Sequence, residues 1–134
     1  MIAWFPLSPR PVYKITGDNI FTTSNIAKAN SSSSYSVFAI SDTSFRLYTN
    51  KNVAYASTKQ TVASLGLTVG KKYRMKCKID ITRLDTRIIV GLRDSNNTFR
   101  VSTGPLYDGG IYEYEFVLTS DMSYLSFLGT YESS

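Results

Sequence analysis

The residue types that perform most enzyme chemistry are scarce in this chain of 134 residues. It contains no histidine, which excludes Ser-His-Asp and Cys-His nucleophilic arrangements and zinc sites held by imidazole. Its one cysteine, Cys77, can form neither an intrachain disulfide nor a multi-thiolate metal site. Neither of the glycine-rich motifs that cradle nucleotide phosphates occurs in the sequence. These absences favour a non-enzymatic protein that needs no cofactor.

A pair of carboxylates is the remaining arrangement with catalytic potential. Glu113 and Glu115 stand two residues apart in an alternating segment, and strand geometry places them on one face, roughly 7 Å apart. Glycosidases use two carboxylates at comparable separations. However, a neighbouring strand with outward Arg74, Lys76 and Lys78 would pair with these acids. We therefore expect ion pairing at this position rather than catalysis.

Oxygen ligands for a calcium ion need neither histidine nor cysteine. Candidate oxygens occur at Asp18-Asn19, at Asp42 and in the run Asp94–Asn97, but their spacing matches no EF-hand loop. We therefore expect no bound metal.

The formal net charge of +5 raises the question of an anionic partner. The basic residues are scattered, with no run of five or more, so a solvated basic surface is expected and nucleic acid is not. Nucleic-acid binding stays the weakest alternative and would require a steep salt dependence. No apolar stretch approaches the roughly 18 residues that span a bilayer, so membrane insertion is not expected either.

Short alternating segments separated by turn residues predict that the chain is all-β. The clearest segment is 72–82, where Tyr73, Met75 and Cys77 alternate with basic residues, a period of two that no amphipathic helix gives. A hairpin is predicted around Ser95–Asn97. The predicted strands are Tyr35–Ile40, Ser44–Thr49, Val53–Ser57, Lys72–Thr82, Arg87–Asp94, Thr98–Ser102, Tyr112–Thr119 and Tyr124–Leu128, with a short strand near Ile20-Phe21 and a helical turn at Ile26–Ala29 as weaker elements.

The first 16 residues form a separate part of the predicted architecture. Three prolines within residues 6–11 predict an extended arm, residues 1–16, that precedes a single β-sandwich domain, residues 17–134. Trp4, Phe5 and Leu7 give this arm an apolar surface, which either packs on its own domain or docks on another subunit.

Three segments resemble carbohydrate-binding-module-like jelly-roll domains. Residues 67–80 run from Leu67 through a Gly-Lys turn and Tyr73 into the long alternating strand. Ile111–Thr119 resembles the late aromatic strand of such domains, and Tyr124–Gly129 is similar to their closing strand. The resemblance covers roughly residues 37–131 and implies a two-sheet antiparallel β-sandwich of jelly-roll type, here with a proline-rich N-terminal arm.

Domains of this kind occur in bacteriophage virion proteins, such as tail fibres and capsid decorations, and beside polysaccharide-degrading enzymes. The N-terminal segment lacks the basic region of a signal peptide, and the arm suits subunit docking. We therefore expect a structural or adhesion protein at the virion surface, assembled through the arm with copies of itself or other virion proteins, with host glycans as a further partner. The alternative is an extracellular glycan-binding module that serves such an enzyme.

Outward polar and aromatic side chains are the candidates for glycan contact, because the only tryptophan lies in the arm. We expect them to form one groove, although contacts in an assembly or plain surface remain alternatives. The candidates are Arg46, Tyr48, Arg93, Asn96, Asn97, Arg100 and Tyr107.

Overall fold

The computed structural model describes residues 19–29, 35–49, 55–82 and 86–131. About 58% of the described residues lie in strands and none lies in a helix, which confirms the all-β expectation. The strands are β1 (Ala27–Lys28), β2 (Tyr35–Ser41), β3 (Ser44–Thr49), β4 (Tyr55–Thr61), β5 (Lys72–Ile79), β6 (Thr86–Arg93), β7 (Phe99–Ser102), β8 (Gly110–Val117) and β9 (Tyr124–Tyr131).

The described strands form one five-stranded sheet and two ribbons of two strands. The sheet has the order β1-β4-β9-β6-β7, and the ribbons are β2-β3 and β5-β8. All pairings are antiparallel. The hairpin predicted around Ser95–Asn97 is confirmed as the β6–β7 connection, with an irregular register between Leu92 and Arg93.

The β5-β8 ribbon shows the alternation that the sequence predicts. Along β5, exposed Lys72, Arg74, Lys76 and Lys78 alternate with less exposed neighbours. Arg74 forms an ion pair with Glu113, and the Lys72 ammonium lies 3.7 Å from the Glu115 carboxylate. The two acids therefore pair across strands, as expected from the basic residues opposite them. Each such exposed pair contributes about 0.2–1 kcal/mol to stability.

The hydrophobic core lies between the five-stranded sheet and the two ribbons. Leu92 and Leu125 of the sheet cluster with Phe116 of β8, and Phe127 packs edge-on against Phe45 of β3, with 4.9 Å between ring centroids. Leu125 and Phe127 are two residues apart on β9, so both ribbons cover the same face of the sheet. We call this the inner face and the opposite side the outer face. The buried residues of the cluster are Leu65, Leu92, Phe116, Leu118, Met122 and Leu125.

Several predicted elements differ from the structure. The predicted helical turn at Ile26–Ala29 is wrong, because Ala27 and Lys28 pair with β4 as a short edge strand. Ile20 and Phe21 lie outside any strand. The predicted strand Val53–Ser57 begins outside the described residues, and its end differs: the strand continues to Thr61, because pairing with β9 extends through Gln60↔Leu125 and Thr61↔Tyr124.

Only the coarser part of the predicted architecture is established. In the described part of the chain, the layer over the inner face consists of two separate ribbons rather than one continuous sheet, so a two-sheet jelly roll is not established. The predicted arm, with Trp4, Phe5 and Leu7, lies outside the described residues, as do residues 17 and 18 of the predicted domain.

The end of β8 offers a matched test of this core. Leu118 is 1% exposed in the core cluster, whereas its neighbour Val117 is 46% exposed. We expect Leu118→Ala to lower the free energy of unfolding by about 3 kcal/mol, through lost burial and a residual cavity. Val117→Ala should cost less than about 1 kcal/mol. Urea unfolding of both variants measures the difference, and equal losses would contradict the assignment of faces.

Candidate functional site

A groove of about 400 Å³ lies on the outer face of the five-stranded sheet. Its lining side chains come from the sheet itself and from the β6–β7 turn, so regular backbone pairing sets their positions. Tyr55 lies opposite Thr130, and Ser57 lies opposite Leu128, in the β4–β9 register. The described lining residues are Ala29, Tyr55, Ser57, Arg93, Asn97, Leu128 and Thr130.

The groove is elongated, with different chemistry at its two ends. Tyr55 pairs with Thr130 of β9, and Arg93 pairs with Tyr124 of the same strand. These positions on β9 are six residues apart, which corresponds to about 20 Å along a strand. The Tyr55 side chain, 50% exposed, forms the aromatic end, and Arg93 forms the cationic end.

The Arg93 guanidinium is held in place by an aromatic ring. Its Cζ atom lies 4.6 Å from the centroid of the Phe99 ring, a cation–π contact that stabilises the position of the group. The Nε atom is buried and has no hydrogen-bond partner in the described part of the chain. A donor in this state is costly to the free protein, because it loses water without gaining an acceptor.

The turn between β6 and β7 places Asn97 beside the groove. Asp94 caps the turn, since its Oδ1 accepts hydrogen bonds from the backbone N–H groups of Asn96, at 2.8 Å, and Thr98, at 3.0 Å. Asn97 has a φ of 66°, a left-handed conformation that asparagine tolerates better than most residues. Its Oδ1 accepts a hydrogen bond from the buried Tyr124 hydroxyl, which ties the turn to β9.

Basic side chains lie on the described outer face. Lys59 lies over the Tyr124 ring at 5.0 Å, and Arg87 donates a hydrogen bond from Nε to the Thr130 hydroxyl at 2.8 Å. Neither aspartate nor glutamate occurs within the five strands of this sheet. An acidic group would therefore enter this groove more favourably than a cation.

Two of the predicted glycan contacts meet in this groove, and the others lie elsewhere. Arg93 and Asn97 both line it, while the exposed Asn96 occupies the adjoining turn. Arg46 and Tyr48 are exposed on β3, as the sequence parity predicts. They point away from the core, because Phe45 on the same strand packs on the inner face of the sheet. They therefore lie on the far side of the domain from the groove.

Arg100 and Tyr107 also lie apart from the groove. The Arg100 guanidinium is 2.9 Å from the Asp121 carboxylate and 3.9 Å from that of Asp94, beside a second depression. A hydrogen bond from the Thr119 hydroxyl, assisted by Arg100, lowers the pKa of Asp121. Tyr107 is exposed beyond an isolated bridge between Leu106 and Ile88. The seven predicted residues therefore do not form one groove.

Five lining residues were missed from the sequence: Ala29, Tyr55, Ser57, Leu128 and Thr130. Tyr55 and Ser57 fell within a predicted strand, but the partner strand that brings them to the outer face was unknown. Thr130 lay beyond the predicted end of the last strand, which continues to Tyr131. The alternation of Tyr124, Ser126, Leu128 and Thr130 is the signal that would have found it.

Burial shifts the pKa values of two neighbouring side chains, Cys77 and Tyr114. Burial raises the pKa of the Cys77 thiol, which disfavours the reactive thiolate. Burial, and then Cys77 beside it, raises the pKa of Tyr114. Among the described residues, no cluster of three or more histidine, cysteine or acidic side chains could hold a metal ion. In the same part of the chain, there is no helix long and apolar enough to cross a membrane.

Comparisons with known proteins give no family assignment. No family model matches this chain, and neither a curated protein nor a solved structure matches it significantly. The likeness to carbohydrate-binding-module-like jelly rolls therefore rests on the sequence pattern alone.

The hydrogen bond between Tyr124 and Asn97 can be tested directly. Tyr124→Phe removes the donor while keeping the buried ring, so we expect a loss of about 1 kcal/mol in the free energy of unfolding. Tyr107→Phe is the matched control, because its side chain is exposed, and it should change stability by about 0.5 kcal/mol or less. Thermal or urea unfolding measures both variants. An unchanged Tyr124→Phe protein would show that the bond does not anchor the turn.

Proposed function

We propose that this chain is a non-enzymatic recognition domain that binds a saccharide in the outer-face groove. The observation that carries the proposal is the combination of a half-exposed Tyr55 ring with hydrogen-bonding groups of Arg93, Asn97 and Thr130 along one elongated depression. A sugar ring presents an apolar C–H face and a rim of hydroxyls. Aromatic rings contact the C–H face, and guanidinium, amide and hydroxyl groups form hydrogen bonds with the sugar hydroxyls.

The composition of the groove supports binding rather than hydrolysis. Glycoside hydrolysis needs two carboxyl groups that flank the scissile bond, and none of the described lining residues is acidic. Glu113 and Glu115 lie on the β5-β8 ribbon and form ion pairs with Arg74 and Lys72. The two carboxylates with suitable spacing therefore lie outside the groove and have basic partners.

The position of the groove on paired strands supports recognition by a preformed surface. Four of the lining residues, Tyr55, Ser57, Leu128 and Thr130, belong to β4 and β9, where the backbone is fixed by the ladder between the two strands. A site on rigid elements loses little conformational entropy when a ligand binds.

The setting that we propose is the virion surface, with secretion beside a polysaccharide-degrading enzyme as the alternative. Both settings are supported by the resemblance of residues 67–80, 111–119 and 124–129 to carbohydrate-binding-module-like jelly rolls, and the apolar arm favours the first. In this proposal, the two ribbons over the inner face together correspond to the second sheet of such a sandwich.

A glycan array with three proteins tests the proposed site. We expect the wild-type domain to bind a subset of saccharides, and Tyr55→Ala to weaken that binding about tenfold by removing the aromatic platform. Tyr48→Ala is the matched control, because Tyr48 is equally exposed but lies on the far side of the domain. If Tyr48→Ala abolished binding while Tyr55→Ala left it intact, the site would be on the β2-β3 ribbon instead. Wild-type protein that binds no saccharide would refute the proposal.

A second candidate function, subunit assembly, is favoured by the outer side of the β2-β3 ribbon. Phe38, Ile40 and Tyr48 are each more than half exposed there. Exposed Asp42 lies at the tip of the hairpin, and exposed Arg46 lies further along the same ribbon, opposite Phe38. The ribbon therefore presents an acid at its tip and a base beside its apolar residues, and a twofold rotation brings the acid of one copy towards the base of another. A second copy of this chain is therefore the proposed occupant.

Solution mass tests this assembly. We expect the wild-type chain to show a concentration-dependent dimer in sedimentation, which Ile40→Ser should weaken by removing exposed apolar area from the contact. Val69→Ser, which alters an equally exposed apolar residue outside the ribbon, should leave the dimer intact. A wild-type monomer at high micromolar concentration would contradict the proposed contact.

A further inference from the structure

We infer that the outer-face groove selects an acidic saccharide, one that carries carboxylate or sulfate groups, over its neutral counterpart. The inference rests on the proposed function, because it names the chemical class of ligand for the same groove.

The first observation is the state of Arg93. Its Nε–H is buried without a hydrogen-bond partner among the described residues, while the ring of Phe99 holds the guanidinium from one side. A guanidinium offers five donors in a planar fork that matches the two oxygens of a carboxylate or sulfate. A neutral hydroxyl can accept from this group, but a charged acceptor forms the shorter and stronger bond.

The second observation is the distribution of charge around the groove. The five strands contain no acidic residue. Several acids elsewhere in the described ranges lie beside basic side chains other than Arg93. Asp94 and Asp121 flank Arg100, and Glu113 pairs with Arg74. Arg93 has no carboxylate within ion-pair distance in the described part of the chain, unlike Arg74 and Arg100.

The spacing of the cations fits a ligand with more than one anionic group. The β4–β9 register places Lys59 opposite Ser126, while Arg93 lies opposite Tyr124 on the other side of β9. Two strand spacings across and two residues along the sheet separate their Cα atoms by about 12 Å. The Lys59 ammonium lies over the Tyr124 ring, and Tyr124 is the residue opposite Arg93, so both cations lie beside the same part of β9. Two cations at this position suit a ligand with more than one anionic group.

The aromatic residues of this surface favour a saccharide over a nucleic acid. Single-stranded nucleic acids are bound by aromatic rings whose faces are open to stack on bases. On the outer face, Lys59 covers the ring of Tyr124 and Arg93 covers that of Phe99. Tyr55 is the one ring in the described groove lining, which provides too little area for successive bases.

The test compares acidic and neutral saccharides on the same protein. A glycan array with uronic-acid, sialic-acid, sulfated and neutral oligosaccharides identifies the strongest binder. Calorimetry then measures the affinity of the protein for this oligosaccharide and, separately, for the same oligosaccharide after carboxyl reduction or desulfation. We expect the acidic form to bind at least tenfold more tightly, with affinity falling as salt rises. Weaker binding after carboxyl reduction would indicate recognition of a carboxylate, and weaker binding after desulfation would indicate recognition of a sulfate.

Charge variants locate the preference in the groove. Arg93→Gln should lower the affinity for the acidic form about tenfold or more and bring it close to that of the neutral form. Lys78→Gln removes the same charge from the exposed side of β5 and should leave both affinities unchanged. Circular dichroism verifies that both variants remain folded.

Each outcome bears on a distinct claim. Equal affinity for acidic and neutral forms would overturn this inference while leaving saccharide binding intact, and so would an equal effect of Lys78→Gln and Arg93→Gln. Tighter binding of a single-stranded oligonucleotide in the same assay would also overturn it. Failure to bind any saccharide would overturn the proposed function together with this inference.

Discussion

The structure depends on the burial of β9 between two hydrogen-bonded neighbours. This strand pairs with β4 on one edge and with β6 on the other, so its backbone groups are satisfied within the sheet. Its side chains then divide by parity, with Leu125 and Phe127 in the core and Leu128 and Thr130 in the groove. Because a slip of one residue would exchange these two sets, the burial of Leu125 also fixes the register of the groove.

The sequence predicted best those strands in which only one face is buried. In β5, polar and apolar residues alternate without interruption, and in β8 Glu113 and Glu115 alternate with aromatic residues, so the period of two identified both strands and the pairing of their charges. The sequence failed at β4, which reads as the polar run Ser57-Thr58-Lys59-Gln60-Thr61. Thr58 and Gln60 are buried there with hydrogen-bond partners. The Thr58 hydroxyl accepts from Phe127 N–H, and the Gln60 amide nitrogen donates to the Thr22 and Ser24 carbonyls, while its Oε1 has no partner among the described residues. Hydropathy alone cannot indicate a partner of this kind.

The candidate site was predictable only in part, because parity along one strand does not show which strands become neighbours. Arg46 and Tyr48 were correctly assigned to an exposed face, yet that face belongs to a ribbon on the other side of the core. Arg93 and Asn97 reach the same groove because β6 and its turn flank β9. Tyr55 joins them through the β4–β9 ladder, a pairing between strands almost 70 residues apart that no local pattern encodes.

Unsatisfied polar groups connect the stability of this sheet to its proposed role. Arg93 Nε and Ser126 Oγ are buried without hydrogen-bond partners in the described part of the chain, and strand parity assigns both residues to the outer face. Each such group costs about 1–3 kcal/mol in the free protein. Substitution of Arg93 by an apolar residue would remove the desolvation cost of its Nε–H. The new side chain would still pack against Phe99, so little contact would be lost. Part of the Arg93 guanidinium is thus desolvated in the free protein, so an anionic ligand that contacts the rest of this group incurs less of the desolvation cost on binding.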